Sequence, residues 1–291
     1  MIRKPYWLKS EKLGTKKTSD ITRMLRKFKL HTVCESAKCP NRGECFDRGT
    51  ATFMILGDVC TRNCSFCAVG KNRKPLPVDP NEPENIARLS KELQLKHIVI
   101  TTVTRDDLPD GGAGHFAKTV KKIREICASQ VSIEVLISDL KGDLSDLKTI
   151  LDSCPDIVNH NVETIPRLYS QVRQMANFDR SLKILEKAKE DQNIELTKSG
   201  FMVGLGETDE EVTELLKKLK DAKVDIVTIG QYMQPSKEYF SVKRYVEPKI
   251  FEEYRKQGLA MGFKLVESAP LVRSSYKAEK ARKYLTRLSK Q

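Results

Sequence analysis

Six cysteines stand in two groups within 34 residues, Cys34-x4-Cys39-x5-Cys45 and Cys60-x3-Cys64-x2-Cys67. Three thiolates can hold three corners of a cubane iron–sulfur cluster and leave the fourth iron without a protein ligand. An iron left open in this way can bind a substrate or cofactor, as the open position of a catalytic zinc does. Zinc fits the second triad less well, because a structural zinc takes four protein ligands and no further Cys or His lies at a suitable offset. Phe66, directly before the last cysteine, brings an apolar ring that could shield a cluster from water. The first triad by itself suits either a cluster or a zinc ion. Beside the second triad it reads as a second cluster, and two clusters imply chemistry that one could not support.

Cysteine usage also bounds the setting. Eight cysteines in 291 residues are too few for a disulfide scaffold, and six of them fall in the triads, so metal binding in a reducing compartment is expected. The other two read as core residues: Phe116, Val120, Ile123 and Cys127 share one helical face, as do Leu144, Leu147, Leu151 and Cys154. No apolar run approaches the ~20 residues of a membrane span. Residues 1–30 are basic but lack the apolar stretch of a secretory signal, and Pro5, Glu11, Gly14 and Asp20 argue against a clean basic amphipathic helix. A formal net charge of +13 favours an acidic partner, either nucleic acid or protein. The basic residues are spread along the chain, with no aromatic-interleaved block, helix-turn-helix signature or zinc-finger spacing, so neither nucleic acid nor membrane is the expected partner.

The cysteines need a scaffold, and the chain after residue 50 supplies one. Short apolar runs at Thr52–Leu56, Ile98–Val103, Ser132–Ser138, Asp156–His160, Thr197–Val203 and Asp225–Ile229 alternate with amphipathic stretches. Those stretches predict helices at Pro83–Leu95, His115–Cys127, Asp143–Ser153, Phe178–Ala188, Thr208–Ala222 and Pro248–Met261. Thr208 and Glu211 form a capping-box pattern ahead of an apolar stripe of Val212, Leu215, Leu216 and Leu219. Alternating βα units imply a parallel sheet. A closed eight-fold barrel takes ~250 residues, so six units between about residues 50 and 262 predict an open (βα)6 partial TIM barrel. Residues 1–49, with the first triad, and 263–291 then form extensions able to cover the active face. The second triad follows the first strand, Gly111-Gly112-Ala113-Gly114 the second, and Gly204-Leu205-Gly206-Glu207 the fifth. All three sit where strands feed into helices, the active end of such barrels.

A Cys-x3-Cys-x2-Cys loop after the first strand of a six-unit barrel resembles the radical S-adenosylmethionine superfamily. Within it, the chain resembles the lipoyl synthase family. The resemblance rests on His31-Thr32-Val33-Cys34-Glu35, Cys39-Pro40-Asn41, the run Gly49 to Asp58, Val103-Thr104-Arg105-Asp106-Asp107-Leu108, His160-Asn161-Val162-Glu163-Thr164, Thr197-Lys198-Ser199-Gly200, Gly204 to Thr208, Gly230-Gln231-Tyr232 and Arg273-Ser274-Ser275-Tyr276. It runs from about Lys4 to Ala278, and the paired triads with the Arg-Ser-Ser-Tyr segment are its most specific part. The resemblance implies a sulfurtransferase that inserts two sulfurs, at C6 and C8, into a protein-bound octanoyl-lysine. It implies a [4Fe–4S] cluster on Cys60, Cys64 and Cys67 whose open iron binds S-adenosylmethionine. It further implies an auxiliary [4Fe–4S] cluster on Cys34, Cys39 and Cys45, with Ser275 on the fourth iron, that is broken up to give the sulfur. A hard serine oxygen is a poor match for that iron and could leave readily; Ser274 would serve if the register were one residue off.

The same resemblance bears on the remaining residues and partners. Gly111 to Gly114 read either as a turn or as a backbone N–H cradle for the methionyl end of the cofactor, with Gly111 and Gly112 in contact. Asn161 and Glu163 are cofactor-site candidates near a strand end, and Glu207 a weaker one, since such groups are often helix caps. Expected partners are octanoylated lipoyl carrier domains or the glycine-cleavage H protein, a reduced ferredoxin- or flavodoxin-type electron donor, and an iron–sulfur cluster carrier. Because the family-like Lys4-Pro5-Tyr6-Trp7-Leu8-Lys9 leaves no room for a presequence, a cytoplasmic enzyme is expected. Two departures stand out: Arg173 is followed by Gln174-Met175 where the family has Pro-Gly, and Ser268-Ala269-Pro270 replaces Ser-Gly-Pro. The competing readings are another sulfur-inserting radical enzyme and, from a different class, an iron–sulfur carrier or redox-responsive nucleic-acid binder.

Overall fold

A computed structural model describes residues 3–9, 16–36, 39, 41–48, 50–71, 73–127 and 131–286. Glu11, Gly14, Pro40 and Gly49, used in the sequence reading, lie outside them. The chain opens with helix α1 (Lys16–Lys27), a short strand β1 (His31–Thr32) and two short helices, α2 (Val33–Ser36) and α3 (Arg42–Asp47). Parallel strands and helices then alternate: β2 (Thr50–Ile55), α4 (Glu82–Glu92), β3 (His97–Thr102), α5 (Ala113–Ile126), β4 (Ser132–Leu136), α6 (Leu144–Leu151) and β5 (Ile157–Asn159). The series continues with α7 (Tyr169–Val172), α8 (Phe178–Glu190), β6 (Leu196–Val203), α9 (Asp209–Asp221), β7 (Ile226–Gln231), α10 (Pro248–Ala260) and β8 (Leu265–Ser268).

All six predicted strand–helix units are present, in the order β2 to β7, every neighbouring pair parallel. The sheet gains a strand at each edge: β1 pairs antiparallel with β2, and β8 parallel with β7. Among the described residues its order is β1 through β8 with β1 and β8 not paired to each other, so the barrel is open. Local chemistry sets the helix ends. Thr208 accepts from the Glu211 N–H at 3.2 Å while Glu211 accepts from the Thr208 N–H at 2.9 Å, completing the expected capping box of α9. Asp143 caps α6.

Two expectations are corrected here. The N-terminal arm does form a basic helix: α1 buries Ile21 and Leu25 against the barrel core, and this apolar side outweighs the breakers around it. Cys154 is exposed, because α6 stops at Leu151 and a turn with Cys154 at φ +56° carries its side chain outward. Cys127 is buried, as expected, with its Sγ 3.5 Å from the Ala87 carbonyl.

Inside the barrel the register places His97, Ser132, Glu134, Asn159 and Lys198 on the sheet face opposite the apolar residues Ile98, Ile133, Val135 and Val158. Glu134 there meets Lys198 at 2.9 and 3.1 Å and the Asn159 amide at 2.8 Å. Burial alone would raise the pKa of Glu134; Lys198, His97 and Asn159 bring it down to about 2. Among the described residues, no helix is long and apolar enough to cross a membrane.

Candidate functional site

The second triad occupies the loop that leaves β2. Leu56 at φ +67° and Gly57 at φ +89° turn the chain out of the sheet, and the Val59–Gly70 bridge, with Cys60 N–H to Gly70 O at 2.7 Å, closes the loop on itself. Arg62 lies between the first two cysteines and is only 5% exposed. Its guanidinium donates to both Asp106 oxygens at 2.7 and 3.0 Å and meets Asp139 at 2.7 Å, so the loop is clamped to the segments after β3 and β4. Asp139 also holds Arg180 at 2.6 Å. On the other side the Ser65 N–H reaches the Val172 carbonyl at 3.0 Å, and Phe66 packs into the core around β6 to β8.

The first triad is built from the N-terminal helices and faces the C-terminal segment. Cys34 is on α2, Cys45 on α3, and the Cys39 N–H bonds the Cys34 carbonyl at 3.0 Å. Asn41 donates to the Leu271 carbonyl at 2.6 Å, and the Tyr276 hydroxyl donates to Glu44 at 3.2 Å. Arg273 lies near enough to Cys39, and Tyr276 to Cys45, for their charges to interact. The Arg-Ser-Ser-Tyr segment is thereby tied to α3, which carries Cys45, through Tyr276 and Glu44, with Ser275 next to that tie. The two serines differ. Ser274 exchanges hydrogen bonds with Asn161 at 2.6 and 2.8 Å, whereas the Ser275 hydroxyl bonds no group among the described residues.

Electrostatics within both triads run against bare thiolates. Burial first, then Cys34, Cys39 and nearby carboxylates, push the Cys45 thiol up to about 12. Burial, outweighing a backbone hydrogen bond from Val69, and then Cys64 and Cys60 put Cys67 at about 12 as well. Cys64 is raised by burial too, with Arg173 opposing. Among the described residues no three Cys, His, Asp or Glu side chains converge tightly enough for a single metal ion. Three soft sulfurs, partly buried and mutually repelling once ionised, fit an iron cluster that supplies the missing positive charge as the protons leave.

The other expected residues fall around the same end of the barrel. Gly111 (φ +58°) and Gly112 (φ +92°) need a left-handed backbone, and a Cβ on Gly112 would meet Leu56 Cδ1 at 2.3 Å. Their N–H groups are engaged internally: Gly111 bonds Leu108 O, while Gly112 and Gly114 bond the Asp110 carboxylate at 2.9 and 2.8 Å. An N–H cradle is thus already filled by Asp110. Asn161 links Ser274 to Glu163, whose Oε1 is 3.0 Å from the amide. Desolvation raises the Glu163 pKa and Arg173 opposes it. Gly200 makes room for this group, since a Cβ there would meet Asn161 Oδ1 at 2.9 Å. Glu207 folds back onto the N–H groups of Gly204 and Leu205 at 2.5 and 2.9 Å, and so closes its own turn.

Sequence reasoning gave no site role to Arg62, Asp139, His160 or Arg173. The signals it had were the position of Arg62 between two cysteines, His160 in a family-like run and Arg173 beside a departure from the family. Arg173 is buried behind Cys64 and Glu163 and bonds the Asn161 carbonyl at 3.0 Å. His160 bonds the Ile137 carbonyl through Nδ1 at 2.9 Å, and burial, with Arg173, lowers its pKa to about 4. The unusual Gln174 and Met175 are exposed, pointing away from the buried Arg173. Ser268-Ala269-Pro270 keeps β7 and β8 joined, through Ala269 N–H to Ile229 O and Gln231 N–H to Pro270 O, both 3.2 Å.

Known proteins resemble this chain in sequence and in fold. The profile of the radical SAM superfamily matches residues 54–219. A lipoyl synthase of Caldanaerobacter subterraneus subsp. tengcongensis is 52% identical over 96% of both chains. One of Caldicellulosiruptor saccharolyticus is 51% identical over 97% of this chain and 99% of its own. Among solved structures, methylornithine synthase superposes with a TM-score of 0.57 at 16% identity, covering 88% of this chain and 79% of that one. A maturase of [FeFe]-hydrogenase gives 0.58 at 13% identity, covering 89% and 69%. Both show the barrel fold.

Proposed function

This chain belongs to the lipoyl synthase family within the radical S-adenosylmethionine superfamily, and from that premise we propose how its residues carry out sulfur insertion. The enzyme places two sulfurs, at C6 and C8, in a protein-bound octanoyl-lysine and yields lipoyl-lysine, with two [4Fe–4S] clusters and S-adenosylmethionine as cofactors. Cys60, Cys64 and Cys67 hold one cluster; Cys34, Cys39 and Cys45, with Ser275, hold the other. When bound, the first would supply one-electron reduction of S-adenosylmethionine, and the second would supply the sulfur.

The chain's own residues orient these groups and keep water away. Arg62, held by Asp106 and Asp139, fixes the direction in which Cys60 and Cys64 present their sulfurs. Asn161 and Glu163 stand at the C-terminal end of β5 to receive the polar part of the cofactor. Gly111 and Gly112 shape the turn into α5, with the Gly112 N–H bonded to Asp110 and its carbonyl bonded by the His115 and Phe116 N–H groups. Ser275 would be the oxygen ligand of the auxiliary cluster, and a hard oxygen is a poorer match for iron than a thiolate, which would favour its release. A closed, apolar surround protects a reactive radical from water, and Phe66 is part of that wall.

The observation that carries this reading is the tie of the C-terminal segment to the stretch that bears the first triad, Asn41 to the Leu271 carbonyl and Tyr276 to Glu44, at the same barrel that carries the second triad after β2. The remaining assignments are proposals of the same kind: a reduced ferredoxin- or flavodoxin-type donor, a cluster carrier, octanoylated carrier domains or H protein, and a cytoplasmic setting. The extensions at 1–49 and 263–291 act as covers for the barrel of residues 50–262. Anaerobic reconstitution should give about eight irons per chain, and an octanoyl-lysyl peptide should become lipoylated. Cofactor cleavage without sulfur in the peptide would overturn the assignment of the first triad.

A further inference from the structure

Two buried arginines act on Cys64, and the fold treats their charges differently. Arg62 is matched by two carboxylates, Asp106 and Asp139, at 2.7 to 3.0 Å. Arg173 donates to neutral oxygens instead, the Asn161 carbonyl at 3.0 Å and the Tyr169 hydroxyl at 3.2 Å, with the Tyr169 ring centre 5.6 Å away. Among the described residues no carboxylate stands within ion-pair distance of it. Glu163 acts on Arg173 over a longer range, but burial raises the Glu163 pKa against the pull of Arg173, which makes it a weak counter-ion. A buried cation without an adjacent anion is costly, and the chain's own side chains do not remove that cost.

The backbone fixes this charge against the second triad. The carbonyl of Val172, directly before Arg173, accepts from the N–H of Ser65, directly after Cys64, at 3.0 Å. The Arg173 N–H bonds the Tyr169 carbonyl at 2.8 Å. Tyr169 is anchored in turn by its hydroxyl to the Val162 carbonyl at 2.8 Å and edge-on to Phe178. After burial, Arg173 is the largest influence on the Cys64 thiol. We propose that Arg173 is the counter-charge of the cluster on Cys60, Cys64 and Cys67, a positioning residue that sets how readily this cluster takes up an electron. The inference rests on the proposed function, which puts a [4Fe–4S] cluster there, and adds the residue that tunes it. A cubane on three thiolates is an anion, and it gains one more negative charge when the donor's electron enters; no bond forms or breaks and no proton moves. A buried cation nearby offsets the added charge, the more so in a surround of low dielectric. Arg62 does this far less, because Asp106 and Asp139 already balance it.

The test uses the full-length enzyme with Cys34, Cys39 and Cys45 changed to alanine, so that a single cluster is titrated. Its reduction is followed by electron paramagnetic resonance at set potentials, without S-adenosylmethionine. Arg173→Gln keeps hydrogen-bonding capacity and loses the charge. The ratio of reduced to oxidised cluster at a fixed potential should then fall at least about tenfold, or ~59 mV for a one-electron couple. Arg173→Lys keeps the charge and should stay within about threefold of the reference enzyme. An unchanged ratio in Arg173→Gln would overturn the proposal. So would a lysine variant that loads no cluster or shows the same fall as glutamine, and this arm decides the matter where Arg173→Gln itself does not load. Weaker S-adenosylmethionine binding with an unmoved potential would overturn it too, and make Arg173 a cofactor contact. The reference enzyme reports separately on the proposed function: well under about four irons per chain would defeat that reading instead.

Discussion

Replacing Arg62 with methionine removes the clamp on the radical-cluster loop while keeping most of the side-chain volume. The loss can be sized from its contacts. Breaking a buried ion pair from one side costs about 3–5 kcal/mol. Here Asp139 is fully buried but keeps Arg180 at 2.6 Å, and Asp106 is 19% exposed, so water recovers part of the loss. About 2–3 kcal/mol is the expected cost, or a fall in Tm of roughly 3–5 °C for a domain this size. The pH dependence gives an independent signature. Burial opposes ionisation of Asp139, but Arg62 and its neighbours lower its pKa from 3.8 to about 2. A depressed carboxylate pKa stabilises the fold above its unfolded value, and that stability is lost as pH falls through the folded value. This amounts to about 2 kcal/mol. The difference between parent and Arg62→Met should therefore be constant from neutral pH to about 4 and shrink between about 4 and 2. Urea unfolding of the cluster-free proteins, monitored by circular dichroism under anaerobic conditions, measures both. A variant within about 0.5 kcal/mol of the parent at pH 7 would refute the clamp, because that is the range of an unremarkable surface change.

Three other outcomes follow from the site. Changing Cys60, Cys64 and Cys67 together to alanine should remove about half the bound iron and abolish 5′-deoxyadenosine formation; the same change at Cys34, Cys39 and Cys45 should keep cofactor cleavage and stop lipoyl formation, both read by mass spectrometry. Ser275→Ala should depress sulfur insertion with cofactor cleavage retained, whereas Ser274→Ala, which unties Asn161, should raise the KM for S-adenosylmethionine; the reverse pattern would move the ligand to Ser274. Gly112→Ala should destabilise the fold by about 2–4 kcal/mol through its positive φ and the clash with Leu56, and Leu56→Ala in the same chain should relieve the clash component in thermal melts.

The six strand–helix units were legible because each is a local pattern. A run of β-branched residues, a capping box and an apolar stripe such as Val212, Leu215, Leu216 and Leu219 need no distant contact to be recognised. The triads were legible for the same reason, since a ligand spacing of two to five residues lies within one loop or turn. By contrast, β1 and β8 are short and unremarkable in composition, and pairing with β2 and β7 is what makes them strands. The helix at Lys16–Lys27 was masked by flanking Pro, Gly and acidic residues, and only its buried Ile21 and Leu25 explain it. Cys154 matched a helical face in spacing, but the helix ended one turn earlier, and spacing cannot show where a backbone leaves the helix.

The amino-acid sequence by itself determined which side chains could bind iron, and in which two sets, because thiol chemistry and short spacings are properties of the chain. The tertiary structure decided what surrounds them. Arg62 meets Asp106 and Asp139, 44 and 77 residues onward, and Ser274 meets Asn161 across 113 residues. The Asp110 carboxylate fills the N–H groups of a glycine loop that looked open to a cofactor. Arg48, Lys96 and Arg282, at the far end of the barrel, likewise line one cavity only because the C-terminal segment folds back across β2 and β3. Charge and hydrogen-bonding energies depend on distance in space, which for residues this far apart along the chain is set by the packing of the whole barrel.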